Sequence, residues 1–280
     1  MAIYKGNKKV VAVYKGSTPI NKIYKGGTLV FQKGGGGGST HLFEGTATGK
    51  FNLKINDQLR PIKPDASGKW FYDTDEKITS LDSFLERQSA VTSVDLSNLD
   101  LTGIVTDNMF NGSFNITTIK FNNTKIMKLI NLYSLFVGCS SLVSLDLKSF
   151  DTSNITSAVT LFDGCSSLVS LDLSNFDMSK LVYASYLFND CSSLVSLDLS
   201  NWNTSNLQNA SYLFSGCTSL ETLDLSNFDM SKANSYDNMF GDCNKLTHIK
   251  CKQAFKDWCA SNADIIGLTN YSTINWEIVG

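Results

Sequence analysis

The chain has 280 residues, of which 42% are hydrophobic, and its formal net charge is −2 at neutral pH. This is enough apolar material for one or two folded domains. No run approaches the roughly 18 consecutive apolar residues of a membrane span, so we expect a soluble protein. The first twenty residues lack the apolar core and cleavage site of a secretory signal, which predicts synthesis in the cytoplasm.

The opening segment repeats one short basic pattern three times. The tetrapeptide Ile/Val-Tyr-Lys-Gly occurs at residues 3–6, 13–16 and 23–26, a spacing of ten. Residues 1–33 hold seven lysines and no acidic residue, which leaves 17 basic and 26 acidic residues in the rest of the chain. A basic segment on an acidic body suggests that the two parts meet different surfaces.

Alternating apolar and polar positions in residues 1–33 predict a three-stranded meander. A segment this short does not build a stable core alone, so we expect it to dock on an acidic surface or to pair with copies of itself. Lysines beside aromatic residues also suggest nucleic acid, but the strand pattern and the lack of arginine in this segment argue against it. The expected anchor residues are Tyr4, Lys5, Tyr14, Lys15, Tyr24 and Lys25.

A glycine-rich linker follows at residues 34–40, including five consecutive glycines, and it predicts a flexible tether. Residues 41–87 alternate apolar and polar positions in "FNLKI" and "KWFYD", with turn signals between them. This pattern predicts a β-rich N-terminal cap.

The main body repeats with a period of 26 residues. Six units occupy residues 88–242, the first of them one residue shorter than the others. In the segment "SLDL" the leucines are expected to point inward and Ser and Asp outward, as in a short strand. Stacked units of this kind predict an α/β repeat fold, a leucine-rich-repeat-like solenoid with a parallel β-sheet face and a small β anchor at its N-terminus. Cysteines stand 26 residues apart at the start of the last four units and of the C-terminal segment that follows them: Cys139, Cys165, Cys191, Cys217 and Cys243.

Residues 243–280 are expected to cap the open end of the last coil. The stretch "KQAFKDWCASNADIIG" predicts an amphipathic helix, and "TINWEIVG" predicts a final strand. Phe255, Trp258 and Ile266 would cover the core.

The repeat unit "CSSLVSLDLSNFDTSNIT…LFDGC" resembles the BspA-like leucine-rich repeats, which occur in surface proteins of host-associated bacteria and in their phages. The resemblance covers roughly residues 75–260 and implies a solenoid used for attachment or recognition, with no known catalytic site. The early units depart from it, with Ser113 in place of Cys and Thr124 in place of the aromatic residue. The opening segment resembles virion-attachment segments of phage structural proteins.

The seven cysteines do not form a metal-binding or disulfide pattern. Five stand one per coil without the paired spacing of a zinc site, and the odd total argues against a disulfide framework. We expect small, buried, reduced thiols. On that basis Cys191→Ser is predicted to destabilise the fold by roughly 1–3 kcal/mol, because the buried hydroxyl would have no assured partner.

No catalytic site is predicted, and no metal or cofactor. His41 lies beside the linker and His248 on the outward face of the last strand, each without the partners of a catalytic triad. The glycine run 34–38 lacks the Gly-Lys-Ser/Thr ending of a phosphate-binding loop.

The outward strand positions form a candidate binding face. Its predicted hydroxyl and carboxylate columns are compatible either with a solvated surface copied along with the repeat or with a hydrogen-bonding surface for a glycan or a basic protein. A second exposed row, Tyr183, Tyr186 and Tyr212, would supply stacking contacts. The face residues are Ser144, Asp146, Ser170, Asp172, Ser196, Asp198, Thr222 and Asp224.

These features together predict a non-enzymatic attachment protein. The first hypothesis is a phage virion component, a head or tail fibre on the virion surface, anchored to a capsid or tail protein through residues 1–33. Its solenoid would bind a host-surface glycan or protein. The alternatives are a bacterial cell-surface adhesin and an intracellular interaction scaffold, and self-association is compatible with each of them.

Overall fold

The computed structural model describes residues 43–280, except 74–77, 98, 100, 102–105, 123 and 125–131, together with four short strands before residue 33. These strands form two antiparallel hairpins, β1 (Tyr14–Lys15) with β2 (Thr18–Pro19) and β3 (Lys22–Lys25) with β4 (Thr28–Gln32). The first strand of the predicted meander lies mostly outside the described residues. The predicted linker, residues 34–40, lies wholly outside them.

The main body is a series of stacked coils, and the predicted repeat solenoid is confirmed. Equivalent turn residues recur every 26 positions, at Ser134, Thr160, Tyr186, Tyr212 and Asn238, all with positive φ. On this side of the solenoid, backbone N–H groups of each coil donate to carbonyls of the next coil, at N···O distances of 2.7–3.4 Å. The segment that leads into each Leu-Phe pair forms turns.

The N-terminal end of the solenoid is closed by strands of the predicted cap. Strands β5 (Phe43–Ala47), β8 (Lys69–Tyr72), β9 (Val91–Asp95) and β10 (Thr118–Lys120) form one sheet in the order β10-β9-β5-β8. Strand β5 runs antiparallel to β9, the first strand of the solenoid face. A separate hairpin pairs β6 (Phe51–Ile55) with β7 (Gln58–Ile62).

The C-terminal end is closed by the helix and the strand that the sequence predicted. Strands β11 (Ser196–Asp198), β12 (Thr222–Leu225), β13 (His248–Lys252) and β14 (Asn275–Val279) form a parallel sheet in chain order. Helix α1 (Gln253–Asn262) buries Phe255 and Cys259, and a 3-10 turn (Tyr271–Thr273) precedes β14. Over the described part of the chain, no helix has both the length and the apolar character to cross a membrane.

The parallel sheet face is interrupted in the middle of the solenoid. Residues 142–147 and 168–173 have no regular strand pairing, although their inward leucines remain buried. The alignment of these coils with their neighbours is maintained instead by two features. One is the row of inter-coil backbone hydrogen bonds at the turns of Ser134, Thr160 and their equivalents, which we call the turn ladder. The other is the set of columns of buried side chains. The sheet is therefore regular at its two ends, and side-chain packing holds the middle coils in line.

Aromatic side chains form the most continuous of these columns. Six phenylalanine rings stack along the solenoid, with neighbouring centroids 5.5–5.7 Å apart and planes within 16° of parallel. Each ring is buried, so every coil completes the core of its neighbour. The rings belong to Phe110, Phe136, Phe162, Phe188, Phe214 and Phe240.

The solenoid packing begins before the first predicted unit. Leu85 N donates to Met109 O at 2.8 Å, and Ser83 and Arg87 have the same left-handed backbone as the turn residues of later coils. Residues 83–87 thus join the turn ladder, although they were predicted as part of the cap. The domain boundaries themselves stay predictions.

Candidate binding face of the solenoid

The structure brings the predicted hydroxyl and carboxylate columns onto one face. Ser196 pairs in register with Thr222, and Asp198 with Asp224. The face residues of the three coils from Ser144 to Asp198 are exposed, as is Thr222, whereas Asp224 is half-buried. The hydroxyl and carboxylate columns therefore lie on the surface of the solenoid. That they bind a ligand remains a prediction.

The aspartates of this face have a structural task of their own. The Asp172 carboxylate accepts hydrogen bonds from the backbone N–H and the hydroxyl of Ser174, at 3.1 and 2.7 Å. Asp198 accepts from the N–H of Ser200 at 2.9 Å. In hydrogen bonds of this kind, the aspartate carboxylate accepts the backbone N–H of the residue two positions later. They form a turn at the end of the strand. They hold the pKa of Asp172 and Asp198 below the usual range, because hydrogen bonding favours the charged carboxylate.

Lysines offset the repulsion along the carboxylate column at several places. Lys120 lies 3.7 Å from Asp95, and Lys148 lies 3.8 Å from Asp172. Lys250 lies 3.6 Å from Asp224 and 3.5 Å from Glu277, and the two acids raise its pKa. The column is thus less acidic than four successive aspartates suggest. Its charge does not by itself indicate a ligand.

An apolar column that the sequence reasoning missed borders this face. Val143, Val169 and Val195 each precede a face serine and are 53%, 48% and 39% exposed. They lie at the corner where the coil enters the strand segment, and Val195 N donates to Val169 O at 3.3 Å. We call these three residues the valine corner.

The fold does not require valine at these positions. Thr117, Glu221 and Thr247 occupy them in other coils, where they make the same backbone bonds to the preceding coil. Three adjacent aliphatic side chains that are about half exposed are unusual at a position where other coils have polar residues. The valine corner is therefore the part of this face that folding alone does not explain.

The anchor residues do not join the face, whereas His248 continues the hydroxyl column because it pairs in register with Thr222. The side chains of the anchor residues Tyr4, Lys5, Tyr14, Lys15, Tyr24 and Lys25 lie outside the described part, although 14, 15, 24 and 25 are in strands. His248 Nε2 lies 3.2 Å from Glu277 Oε2 at the end of the sheet. Among the described residues, no group of three or more His, Cys, Asp or Glu side chains converges as a metal site.

The cysteine column is buried and unpaired, as predicted, and it also has a hydrogen-bonding role. All seven cysteines are free and buried. Burial raises the pKa of Cys139 and Cys243 to about 12, which keeps them as thiols. The Sγ of Cys191 donates to Phe162 O at 3.2 Å, and the other cysteines of the column bond in the same way to the coil before them.

Two protein families match this chain. Residues 77–180 match the "BspA type Leucine rich repeat region (6 copies)", and residues 130–258 match a family described as "Mycoplasma protein of unknown function, DUF285". The predicted resemblance to BspA-like repeats is thereby confirmed over the matched part of the solenoid. Neither match includes residues 1–33, so their resemblance to phage segments stays a prediction. A comparison with curated proteins found no match.

Proposed function

We propose that the chain is a non-enzymatic binding protein of a bacterial cell surface, and that its solenoid contacts a partner protein through the valine corner and the adjoining Ser, Thr and Asp columns. The similarity to BspA-type repeats and to a family described as a Mycoplasma protein supports a bacterial setting. Neither family is described as an enzyme or as a phage protein. These similarities favour the bacterial-surface hypothesis over the virion.

The observation that carries the proposal is the valine corner. Protein interfaces combine a desolvated apolar centre with polar groups at the rim. Here three aliphatic side chains lie beside serine hydroxyls, which can donate and accept hydrogen bonds, and beside aspartate carboxylates, which can accept them. A partner with a short apolar ridge would cover Val143, Val169 and Val195 and hydrogen-bond to Ser144, Ser170 and Ser196.

Residues 1–33 are proposed as the anchor of this arrangement. Their seven lysines suit an acidic surface, and the glycine-rich stretch at 34–40 separates them from the solenoid. The tyrosine and lysine copies would contact a surface component of the cell. In a virion, the same segment would contact a capsid or tail protein.

Location is tested on intact cells of the organism that makes the protein. Brief protease treatment followed by mass spectrometry should release solenoid peptides from the outside of unbroken cells, and antibodies should label the cells without permeabilisation. Recovery of the protein only from the cytosol would favour an intracellular scaffold. Recovery only from purified phage particles would restore the virion hypothesis.

Binding is tested with beads that carry the purified full chain and are applied to host cells. Val169→Glu with Val195→Glu places charges in the valine corner and should reduce attachment by about tenfold or more. A matched control, Gln208→Glu with Asn234→Glu, adds the same charge in another exposed column of the solenoid. Equal loss in both variants would show that charge alone, and not this face, governs attachment.

A further inference from the structure

Three tyrosines lie in a different part of the coil, with Tyr183 and Tyr186 exposed and Tyr212 half-buried. Tyr186 and Tyr212 occupy equivalent positions in neighbouring coils, and their rings stack with centroids 4.6 Å apart and planes 4° from parallel. Tyr186 is 37% exposed, and Tyr183, three residues earlier in the same coil, is 48% exposed. Tyr186 and Tyr212 lie outside the valine corner, in the turns where the backbone N–H groups of each coil donate to carbonyls of the next coil.

Folding does not account for tyrosine at these positions. Tyr186 and Tyr212 both have φ of 58°, a left-handed backbone that is unfavourable for bulky side chains. The same turn is made by Ser134, Thr160 and Asn238 in other coils. Smaller polar residues therefore adopt this left-handed turn, and a tyrosine at the same position has an unfavourable backbone conformation that folding does not require.

The aromatic stack ends abruptly at Tyr186. One face of its ring is covered by Tyr212, so the other face is turned toward the preceding coil, where the equivalent residue is the much shorter Thr160. Because Thr160 cannot fill the space of a ring, the outer face of Tyr186 borders a step in the surface. A flat ring of ligand size would continue the stack there.

Hydrogen-bonding groups belong to the same two turns as Thr160 and Tyr186, since Asp163 N donates to Thr160 O and Asn189 N donates to Tyr186 O. Thr160 Oγ1 and Ser134 Oγ are 2.9 Å apart. Asn189 Nδ2 donates to Asp163 Oδ1 at 2.9 Å, which orients the carboxylate. Burial raises the pKa of Asp163, and the nearby Asp190 charge adds to the effect, so this acceptor is partly withdrawn from water.

We propose that this step is a saccharide-binding site, in which the C–H face of a sugar ring packs on Tyr186 and its hydroxyls bond to Thr160, Asp163 and Asn189. An apolar ring face beside hydroxyl, amide and carboxylate groups matches a neutral polyhydroxylated ring, which is apolar on its faces and polar at its edge. A cation would also be attracted to an aromatic face and a carboxylate. Asn189 Nδ2 already donates to Asp163 and Asp190, and Thr160 Oγ1 already donates to Val159 O, so these groups are left as acceptors, which suits the hydroxyl donors at the edge of a sugar.

The test is a printed array of bacterial, plant and mammalian cell-surface glycans, probed with the labelled full chain, followed by titration of whichever glycan binds. Tyr186→Asn removes the ring but keeps a residue that this turn accepts at Asn238. It should weaken binding by about tenfold or more without lowering the melting temperature. Tyr186→Phe keeps the stacking face and should retain binding, whereas Asp163→Asn should weaken it.

The control is Val169→Glu with Val195→Glu, which should leave glycan binding unchanged because it alters only the valine corner. This separates failure of the saccharide site from failure of the proposed protein contact. No binding to any glycan on the array, or equal binding by Tyr186→Asn, would overturn the proposal. Binding of choline or a lysine-rich peptide instead of glycans, lost in Tyr186→Asn, would reassign the site to a cation.

Discussion

At the scale of single residues, the cysteine column shows how a buried group can be both apolar and bonded. Cys191 Sγ donates to Phe162 O, and in an earlier coil Ser113 takes the equivalent position and donates to Leu85 O. The sequence-based estimate for Cys191→Ser assumed that the hydroxyl would have no partner. The structure corrects this, because the accepting carbonyl is already in place.

We therefore expect Cys191→Ser to cost less than about 1 kcal/mol of unfolding free energy. Cys191→Ala should cost more, about 1–2 kcal/mol, since it loses both the donor and the volume of the sulfur atom. Denaturant unfolding of the two variants measures the difference. A serine variant as unstable as the alanine variant would contradict the role of the carbonyl.

The buried Trp202 gives a second prediction at this scale. Its Nε1 has no hydrogen-bond partner among the described residues, and the neighbouring coils have Phe176 and Phe228 at the same position. In Trp202→Phe, removal of an unpartnered N–H offsets the loss of buried area, so stability should change by less than about 1 kcal/mol. Trp202→Ala should cost about 3–5 kcal/mol. Thermal unfolding of both variants is the measurement, and similar losses would disprove the offset.

At the scale of the repeated element, the aspartate turn explains why the motif carries an acid in coil after coil. Asp172 and Asp198 share one position of the coil, and Asp177 and Asp229 share a second position five residues later. Each accepts the N–H of the residue two positions on. At the second position, Asn203 Oδ1 accepts the N–H of Ser205 at 3.0 Å, so an amide oxygen takes the place of the carboxylate there. Both positions use an acceptor, and at the second one a negative charge is not required.

Replacing Asp172 and Asp198 together with Asn should leave stability unchanged or slightly higher, because the turn acceptors stay and the repulsion falls. Replacing both with Ala should lower the free energy of unfolding below that of the Asn variant, through the loss of the turn bonds. Unfolding curves at pH 7 compare the variants. Equal stability of the Ala and Asn variants would show that the turn bonds contribute nothing.

The same turns predict how stability depends on pH. The folded-state pKa values of Asp172, Asp177, Asp198 and Asp229 are lowered by hydrogen bonds from the following serines. Their contribution is therefore present above the unfolded value of about 4 and is lost as the pH falls below it, through the folded values. Urea unfolding between pH 5 and 2 should show this loss. The Asp172→Asn, Asp198→Asn variant should show a shallower fall, and parallel curves would argue against it.

The valine corner marks the limit of what sequence pattern predicts for an element. The 26-residue period and the alternation in "SLDL" correctly place Leu145 inside and Asp146 outside. The same alternation would place Val143 inside, on the side of Leu145. Val143 is exposed because this position is where the coil turns the corner into the strand segment, before the alternation begins. Period alone does not show where a corner falls.

At the scale of the whole molecule, the solenoid was predictable because one pattern is repeated in coil after coil. A column of equivalent leucines, phenylalanines or cysteines can be buried only by stacking, so periodicity specifies the architecture. The interruption of the sheet at residues 142–147 and 168–173 was not predictable, because these segments have the same sequence pattern as β11 and β12. Pairing there depends on backbone distances that the pattern does not encode.

The stacked coils also predict that the solenoid is stable without residues 1–33. Each coil contacts its neighbours, and both ends are covered by their own strands, β5 and β14 with helix α1. Deletion of residues 1–33 should therefore leave the melting temperature within a few degrees of the full chain, while the protein is lost from its surface or assembly. A truncated protein that fails to fold, or one that is retained at normal levels, would contradict the assignment of an anchor.

The central claim is that the valine corner is a contact surface. It is tested most directly by titrating host cells with the full chain and with the triple variant Val143→Thr, Val169→Thr, Val195→Thr. Threonine has nearly the shape of valine and already occupies this corner at Thr117 and Thr247, so the fold should be kept. We predict an unchanged melting temperature and an affinity lowered by about tenfold, since three apolar contacts lose a methyl group each. Equal affinity of the variant and the natural chain would contradict the claim.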